Sequence, residues 1–207
     1  MTTFNKKEHW ENLFQTKELS EVSWYQLVPT TSLEYVKQFN LPLSAKIIDV
    51  GGGDSFLVDY LIEMGYTNIS VLDISEFAIE RAKKRLGENA KSVKWIVSDS
   101  SKFSPTEKYD FWIDRAAFHF LTDDFDRLNY LKTLSESIED NGYVVIGTFS
   151  MDGPTKCSGI EIKQYSEESL SDLLIPFFKK IECKYVNHTT PFNTIQNFVF
   201  CSFQKRD

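Results

Sequence analysis

Three cysteines are all that the 207 residues contain, and Cys157, Cys183 and Cys201 show neither a C-x-x-C spacing nor a Cys/His ligand pattern. So sparse and odd a count argues for reduced thiols, with no disulfide, zinc or other metal site expected. Positive charge is also in short supply: 23 Lys+Arg against 30 Asp+Glu leave a net charge of -7. A surface of that sign repels phosphate backbones, so no nucleic-acid partner is expected. The one basic run, Arg81-Ala82-Lys83-Lys84-Arg85, reads as the solvated face of a helix. No apolar stretch approaches the roughly 20 residues that cross a bilayer. The segment Met1 to His9 lacks the apolar core of a signal peptide, so the expectation is a cytoplasmic protein with no membrane partner. Repeats, low-complexity segments and linkers are missing as well. With 42% hydrophobic and 26% charged residues the chain suits one domain that folds alone.

Strand-like runs alternate with helix-like ones from residue 45 onward: Lys46 to Val50, Asn68 to Asp73, Val93 to Val97, Tyr109 to Asp114 and Tyr143 to Phe149. Such alternation argues for an α/β fold, a parallel sheet with helices on both faces. The first helix carries Leu57, Val58, Leu61 and Ile62 on one face and stops at Gly65; the second runs from about Ser75 to Leu86 and stops at Gly87. A longer helix, Phe125 to Ile138, is closed by the turn signal Asp140-Asn141-Gly142, and another covers Ser166 to Phe178. The final runs, Lys180 to Val186 and Asn197 to Phe203, are too close for a helical crossover and read as an antiparallel pair. Before residue 45, Trp10, Leu13 and Phe14 share a helical face, and Leu33 and Val36 mark a short helix. This portion reads as a helical cover on the sheet.

The turn Asp49-Val50-Gly51-Gly52-Gly53-Asp54-Ser55 follows the first strand, where open α/β sheets bind ligands. A dinucleotide fingerprint would need a third glycine at Phe56, and a phosphate-binding P-loop would need a Lys that is not there. Asp54 at the mouth of the helix would repel a pyrophosphate. A cofactor without phosphates, with nucleoside and amino-acid parts, fits better: glycine permits close approach, and acids bind hydroxyls and ammonium.

With that, the chain resembles the class I S-adenosylmethionine-dependent methyltransferases. The motif is hydrophobic-hydrophobic-Asp-x-Gly-x-Gly-x-Gly, here Ile47-Ile48-Asp49-Val50-Gly51-Gly52-Gly53-Asp54-Ser55, with Ser55 replacing the last glycine. The resemblance implies a Rossmann-like seven-stranded sheet of order 3-2-1-4-5-7-6, last strand antiparallel, in one domain: a helical cover at 1–44, a cofactor-binding core at 45–150, and a C-terminal helix and strand pair at 151–207. It implies S-adenosylmethionine as cofactor and S-adenosylhomocysteine as product. Asp73, in Leu72-Asp73-Ile74, stands where the family places the acid that binds the ribose hydroxyls, though NAD enzymes use the same position. Asp99, followed by Ser100, matches the adenine position, and Asp114 a position that often meets the methionine part or the acceptor. Asp49, Gly51, Gly52, Gly53, Asp73, Ile74, Asp99, Ser100 and Asp114 are the expected cofactor residues of the core.

Methyl transfer from a sulfonium needs no protonated leaving group, so positioning supplies much of the rate and a strong catalytic signature is not required. The chemical candidates lie in Ile113-Asp114-Arg115-Ala116-Ala117-Phe118-His119-Phe120-Leu121. Arg115 and His119 would share a face if the segment were helical. His119 would take a proton or orient an acceptor, or else pack between Phe118 and Phe120; Arg115 would pair with Asp114 or with a substrate carboxylate. No [DN]-P-P-[YFW] follows the fourth strand, which argues against nucleic-acid amines. The loop after the fifth strand, Met151 to Gly159, faces the same crevice and would line an acceptor pocket or serve only as a connector, and Cys157 within it reads as a bystander rather than a nucleophile. His9-Trp10-Glu11 and Val22-Ser23-Trp24-Tyr25 are similar to small-molecule methyltransferases related to the thiopurine type, in which such a segment closes over the cofactor. Trp10 and Trp24 therefore join the cofactor residues, although both would also bury apolar area. The acceptor is expected to be a small molecule, such as a thiol or another metabolite. A protein lysine side chain is the alternative, and a non-catalytic nucleoside-binding module a third reading. The sequence leaves the oligomeric state open between monomer and dimer.

Overall fold

Ile47, Ile48 and Val50 are almost fully buried, on both faces of the strand that carries them, which marks that strand as the middle of a sheet covered on both sides. The computed structural model describes residues 4–206. Its elements are α1 (Lys6–Thr16), α2 (Thr30–Phe39), β1 (Lys46–Val50), α3 (Leu57–Glu63), β2 (Asn68–Asp73), α4 (Glu76–Leu86), β3 (Val93–Val97), β4 (Tyr109–Arg115), α5 (Asp124–Glu136) and β5 (Ile138–Phe149). There follow a small ribbon of β6 (Lys156–Cys157) and β7 (Ile160–Glu161), then α6 (Glu167–Leu174), β8 (Phe178–Thr189) and β9 (Ile195–Lys205).

The seven-stranded sheet runs β3-β2-β1-β4-β5-β9-β8. Five strands are parallel and β9 is antiparallel to both neighbours, so the strands counted along the chain give 3-2-1-4-5-7-6, as the resemblance implied. The order reverses between β1 and β4, and the crevice beyond their carboxyl ends is where a ligand is held in such sheets. One face packs Ile48, Val50, Trp112 and Val144 against Tyr130, Leu131 and Leu134 of α5 and Leu170 and Leu174 of α6. The other packs Ile47, Val71, Ile113 and Val145 against α2 and α3 through Tyr35, Val36, Val58 and Leu61.

Three expectations are corrected. Cys183 and Cys201 form a disulfide, because they stand opposite each other in the β8–β9 pairing, a register that cysteine count and spacing do not reveal. Asp140-Asn141-Gly142 is not the end of a helix; α5 stops at Glu136 and these residues lie within β5, where Asn141 takes φ 65° and the pairing with β4 slips between Tyr109 and Phe111. The basic run on α4 is not simply solvated. Arg81 pairs with Asp54 and donates to the carbonyls of Phe14 and Lys17, and Arg85 pairs with Asp59 and donates to the carbonyls of Asp54 and Ser55. Among the described residues no helix is long and apolar enough to cross a membrane.

Candidate active site

The turn after β1 is folded back onto β2: the N–H groups of Gly51 and Gly52 both donate to the Leu72 carbonyl, at 2.8 and 3.2 Å. Gly51 takes φ +69°, and a Cβ there would stand 2.5 Å from the Cβ of Ala117. A Cβ on Gly52 would stand 2.6 Å from Asp49 Oδ2. Only glycine fits at these two positions. Arg85 fastens the exit of the turn through the two carbonyls it clasps, with its guanidinium 4.3 Å from the centre of the Phe56 ring.

Asp49 is buried, and its Oδ2 has no hydrogen-bond partner among the described residues. Burial, with Asp114 and Asp73 adding repulsion against the pull of Arg115, pushes its carboxyl up to about 8. Such an orphaned acceptor is costly unless a ligand supplies the donor. Asp73 closes β2, and its Oδ1 accepts from the Ser75 N–H at 2.8 Å. Burial raises it to about 7, the Ser75 bond working against that and the Asp54 and Glu11 charges adding to it. Asp73, Ile74, Asp99 and Ser100 line one wall of a cleft, where Asp99 is oriented by the N–H and hydroxyl of Ser101.

Beyond β4 the structure departs from the expectation. The segment is not a helix holding Arg115 and His119 on one face: Ala116 takes φ 69°, and only Phe118–Phe120 form a short 3-10 turn. Asp114 is fully buried and away from the cleft. It accepts from the N–H groups of Ala117 and Phe118 at 3.0 Å and from the Tyr130 hydroxyl at 2.8 Å, so it fixes this turn and does not line the cleft. Burial raises it to about 6 despite those bonds. His119 is likewise fully buried and does not line the cleft. Its ring stacks on Phe149 with centroids 4.6 Å apart, and Nδ1 accepts from the Phe149 N–H at 3.3 Å. Burial, helped by the Arg115 charge, pushes the imidazole down to about 3, which leaves a neutral packing residue and a poor base. Arg115 does reach the cleft, and it pairs with neither Asp114 nor any other acid among the described residues. Its Nη2 donates instead to the Trp24 carbonyl at 2.7 Å.

The N-terminal segment closes the cleft. Trp10 packs edge-on against both Trp24 and Phe120, with centroids 5.8 and 5.0 Å apart, and Phe14 meets Trp24 at 6.2 Å. Lys6 also faces the cleft and pairs with Asp126 of α5. The cleft encloses about 870 Å³ including its mouth, within the range of small-molecule sites. Its far end is walled by Cys157, from the loop that the sequence places beside the crevice, and by Phe149 and Phe198, to which the sequence does not point. The signal available was position: Phe149 ends the fifth strand beside the crevice, whereas Phe198 arrives only through the β5–β9 pairing Phe149↔Phe198.

The methyltransferase-domain family matches residues 47–142. Malonyl-[acyl-carrier protein] O-methyltransferase 1 of Ilyobacter polytropus is 29% identical over 114 residues, which are 55% of this chain and 39% of that protein. The chain thus spans about two-fifths of that relative's length. The EEF1A lysine methyltransferase 2 of Homo sapiens is 22% identical over 83% of this chain and 78% of its own. Among solved structures, the 1,6-didemethyltoxoflavin-N1-methyltransferase of Burkholderia thailandensis, with 1,6-didemethyltoxoflavin and S-adenosylhomocysteine bound, superposes with a TM-score of 0.70 at 17% identity, over 97% of this chain and 84% of that one.

Proposed function

Because the chain carries a class I S-adenosylmethionine-dependent methyltransferase domain, we propose that it binds S-adenosylmethionine and transfers the methyl group to a small-molecule acceptor by in-line displacement. The observation that carries the reading is one continuous cleft, running from the Asp73 and Asp99 wall past Gly51 to the aromatic end at Phe149 and Phe198, with Trp10 and Trp24 over it.

The residues fit the cofactor. The orphaned Oδ2 of Asp49 is an acceptor suited to an ammonium, and Asp49 and Gly52 line a smaller pocket that shares Gly51, Trp24 and Arg115 with the cleft and would take the amino-acid chain. Asp73 would take the ribose hydroxyls, in charge-assisted bonds of roughly 1.5–3 kcal/mol each. Ile74, Asp99 and Ser100 form the wall for the base. When bound, the cofactor supplies an activated methyl group on a sulfonium. The chain's part is to orient and to exclude water: Trp24, Phe149 and Phe198 bring an apolar surface to the reacting end, and positioning of this kind is worth effective molarities of about 10^5–10^8 M. Neither His119 nor Asp114 offers a general base there, so the nucleophile has to enter ready to react.

The relatives include an EEF1A lysine methyltransferase, which favours protein lysine as the second reading. The covered cleft supports the small acceptor. Calorimetry with S-adenosylmethionine, S-adenosylhomocysteine and NAD, and with Asp73→Ala, tests the cofactor: NAD binding alone, or equal binding by the variant, sinks the proposal. A panel of thiols, amines, carboxylates and peptides, scored by S-adenosylhomocysteine release, then separates the two acceptors. Cofactor binding without turnover across that panel would favour the nucleoside-binding module. The core at 45–150 with its cover at 1–44 and strand pair at 151–207 is proposed to act as one domain, because the cleft takes walls from all three.

A further inference from the structure

The far end of the cleft has an unusual makeup: Trp24, Phe149, Cys157 and Phe198 are apolar, and the one charged group among them is Arg115. The guanidinium is held in place, with Nη2 on the Trp24 carbonyl at 2.7 Å and Cζ 5.9 Å from the centre of the Phe198 ring. One bond to a carbonyl leaves most of its five donors free. It has no ion-pair partner among the described residues. The acid that acts on it most, Asp49, makes no ion pair with it and is assigned above to the cofactor's ammonium, while Arg115 itself, lowered by burial to about 10, stays charged near pH 7. A cation in an apolar, half-enclosed chamber attracts an anion far more strongly than in water and repels an ammonium equally. The chamber also lacks a base: His119 and Asp114 are turned away, and burial raises the Cys157 thiol.

Resting on the methyltransferase reading above, we propose that the acceptor is a flat apolar acid, a carboxylic acid, phenol or thiol, received as its anion by Arg115 with its apolar body against Phe149 and Phe198. The acceptor loses its proton to solvent before transfer. The new bond joins its oxygen or sulfur to the methyl carbon as the methyl–sulfonium bond breaks, the electron pair leaves with the donor sulfur, and the two opposite charges cancel. Bidentate geometry is open to a carboxylate and a single bond to a phenolate or thiolate. A lysine ammonium would meet a like charge with no carboxylate to receive it.

The test is calorimetric, on the full chain saturated with S-adenosylhomocysteine near neutral pH, with four probes of one size: benzoate, thiophenolate, benzamide and benzylamine. Benzoate or thiophenolate is expected to bind at least about tenfold tighter than benzamide and benzylamine, and whichever of the two anions leads tells a carboxylate from a thiolate acceptor. Arg115→Gln is expected to collapse that order. Benzylamine or benzamide binding as tightly as the anions, or no probe binding at all, overturns the inference while leaving cofactor binding intact. An Arg115→Gln protein that no longer binds S-adenosylhomocysteine assigns the residue to the cofactor's own carboxylate, and one that binds it and keeps the probe order shows that Arg115 does not receive the anion; either also overturns the inference. Should Arg115→Gln fail to fold, the order of the wild-type affinities decides. If S-adenosylhomocysteine itself does not bind, the methyltransferase reading fails and takes this inference with it.

Discussion

The carboxylate of Glu11 in α1 accepts a hydrogen bond from the Ser75 hydroxyl at 2.8 Å, two residues beyond Asp73. The same carboxylate takes the N–H groups of Glu76 at 2.8 Å and Phe77 at 3.1 Å, so a residue of the cover completes the cap of α4 that Ser75 begins by accepting from the Ala78 N–H. Arg81, from the same helix, holds the carbonyls of Phe14 and Lys17. The cover is therefore fastened to the helix that follows the proposed ribose residue, and Trp10 is placed over the cleft by that attachment.

Glu11→Ala is expected to cost about 1–2 kcal/mol, the range of a lost helix cap with charge assistance, and to weaken S-adenosylmethionine because Trp10 loses its anchor. Burial works against the charge of Glu11, but the bonds from Ser75, Phe77 and Glu76, with Lys7, win and hold it below its ordinary value of 4.5. A depressed acid stabilises above its unfolded value, so this contribution is full at neutral pH and is lost as the pH falls below about 4.5. Thermal unfolding of both proteins at neutral and acid pH checks it: an equal gap at both refutes the ionic part.

His119→Phe is expected to leave turnover within a few-fold of wild type, since the ring packs on Phe149 outside the cleft. Its signature lies in stability. The imidazole is held down to about 3, so between about 6.5 and 3 the unfolded chain binds a proton that the native chain refuses. Over that window native stability falls by about 1.4 kcal/mol per pH unit on this account alone. Denaturant titrations should show His119→Phe gaining on wild type at that rate below pH 6.5; parallel curves would place a proton on the native ring.

Much of the fold could be read because the strands are written locally. Ile47-Ile48, Val71-Leu72 and Val144-Val145-Ile146 are short apolar runs bounded by turn residues, and Gly65 and Gly87 stop the helices between them. The placement of Asp49, the glycines, Asp73 and Asp99 is legible for the same reason: each lies at or just beyond a strand end, and strand ends gather at one edge of the sheet. What could not be read depends on partners distant in sequence. Whether His119 faces inward is decided by Asp114 and Tyr130 pulling the turn down and by Phe149 arriving from another strand. The disulfide requires the β8–β9 register, and the role of Arg81 and Arg85 requires the cover and the glycine turn to lie beside α4. The aromatic end of the cleft was invisible because Phe198 is one of many apolar residues in its strand until the pairing is known.

Cofactor affinity is expected to rise with pH between about 6 and 8. Burial lifts Asp49 to about 8 and Asp73 to about 7, so the free protein holds protons on both groups that an ammonium and two ribose hydroxyls favour losing. The raised values stabilise the free protein below the ordinary carboxylate range, and that contribution is lost as the pH climbs through about 7 and about 8. Binding on the acid side then releases protons, worth up to about tenfold in affinity per unit and per proton. Calorimetry in buffers of different ionisation heat counts those protons directly, and Asn at position 49 should remove the upper step. A flat affinity over this range would mean that both carboxylates are already ionised in the free protein.

Gly51→Ala should abolish cofactor binding, and a second glycine shows why the effect is more than backbone strain. Gly51 and Gly87 both take positive φ, at +69° and +57°, so a Cβ is strained through the backbone at either, and more so at Gly87, whose ψ of -126° lies outside the left-handed helical well. At Gly87 the added carbon meets nothing within 4 Å, whereas at Gly51 it meets the Ala117 Cβ at 2.5 Å. Ala117 cannot yield easily, because its N–H is tied to Asp114 and the residue before it already sits at φ 69°. The overlap therefore pushes the cleft floor upward into the space proposed for the cofactor, at a further cost of about 1–3 kcal/mol in stability. Gly87→Ala should lower the melting temperature through backbone strain yet bind S-adenosylmethionine as wild type does, whereas Gly51→Ala should bind none. If the two variants bound the cofactor equally well, the floor of the cleft would not be where it lies.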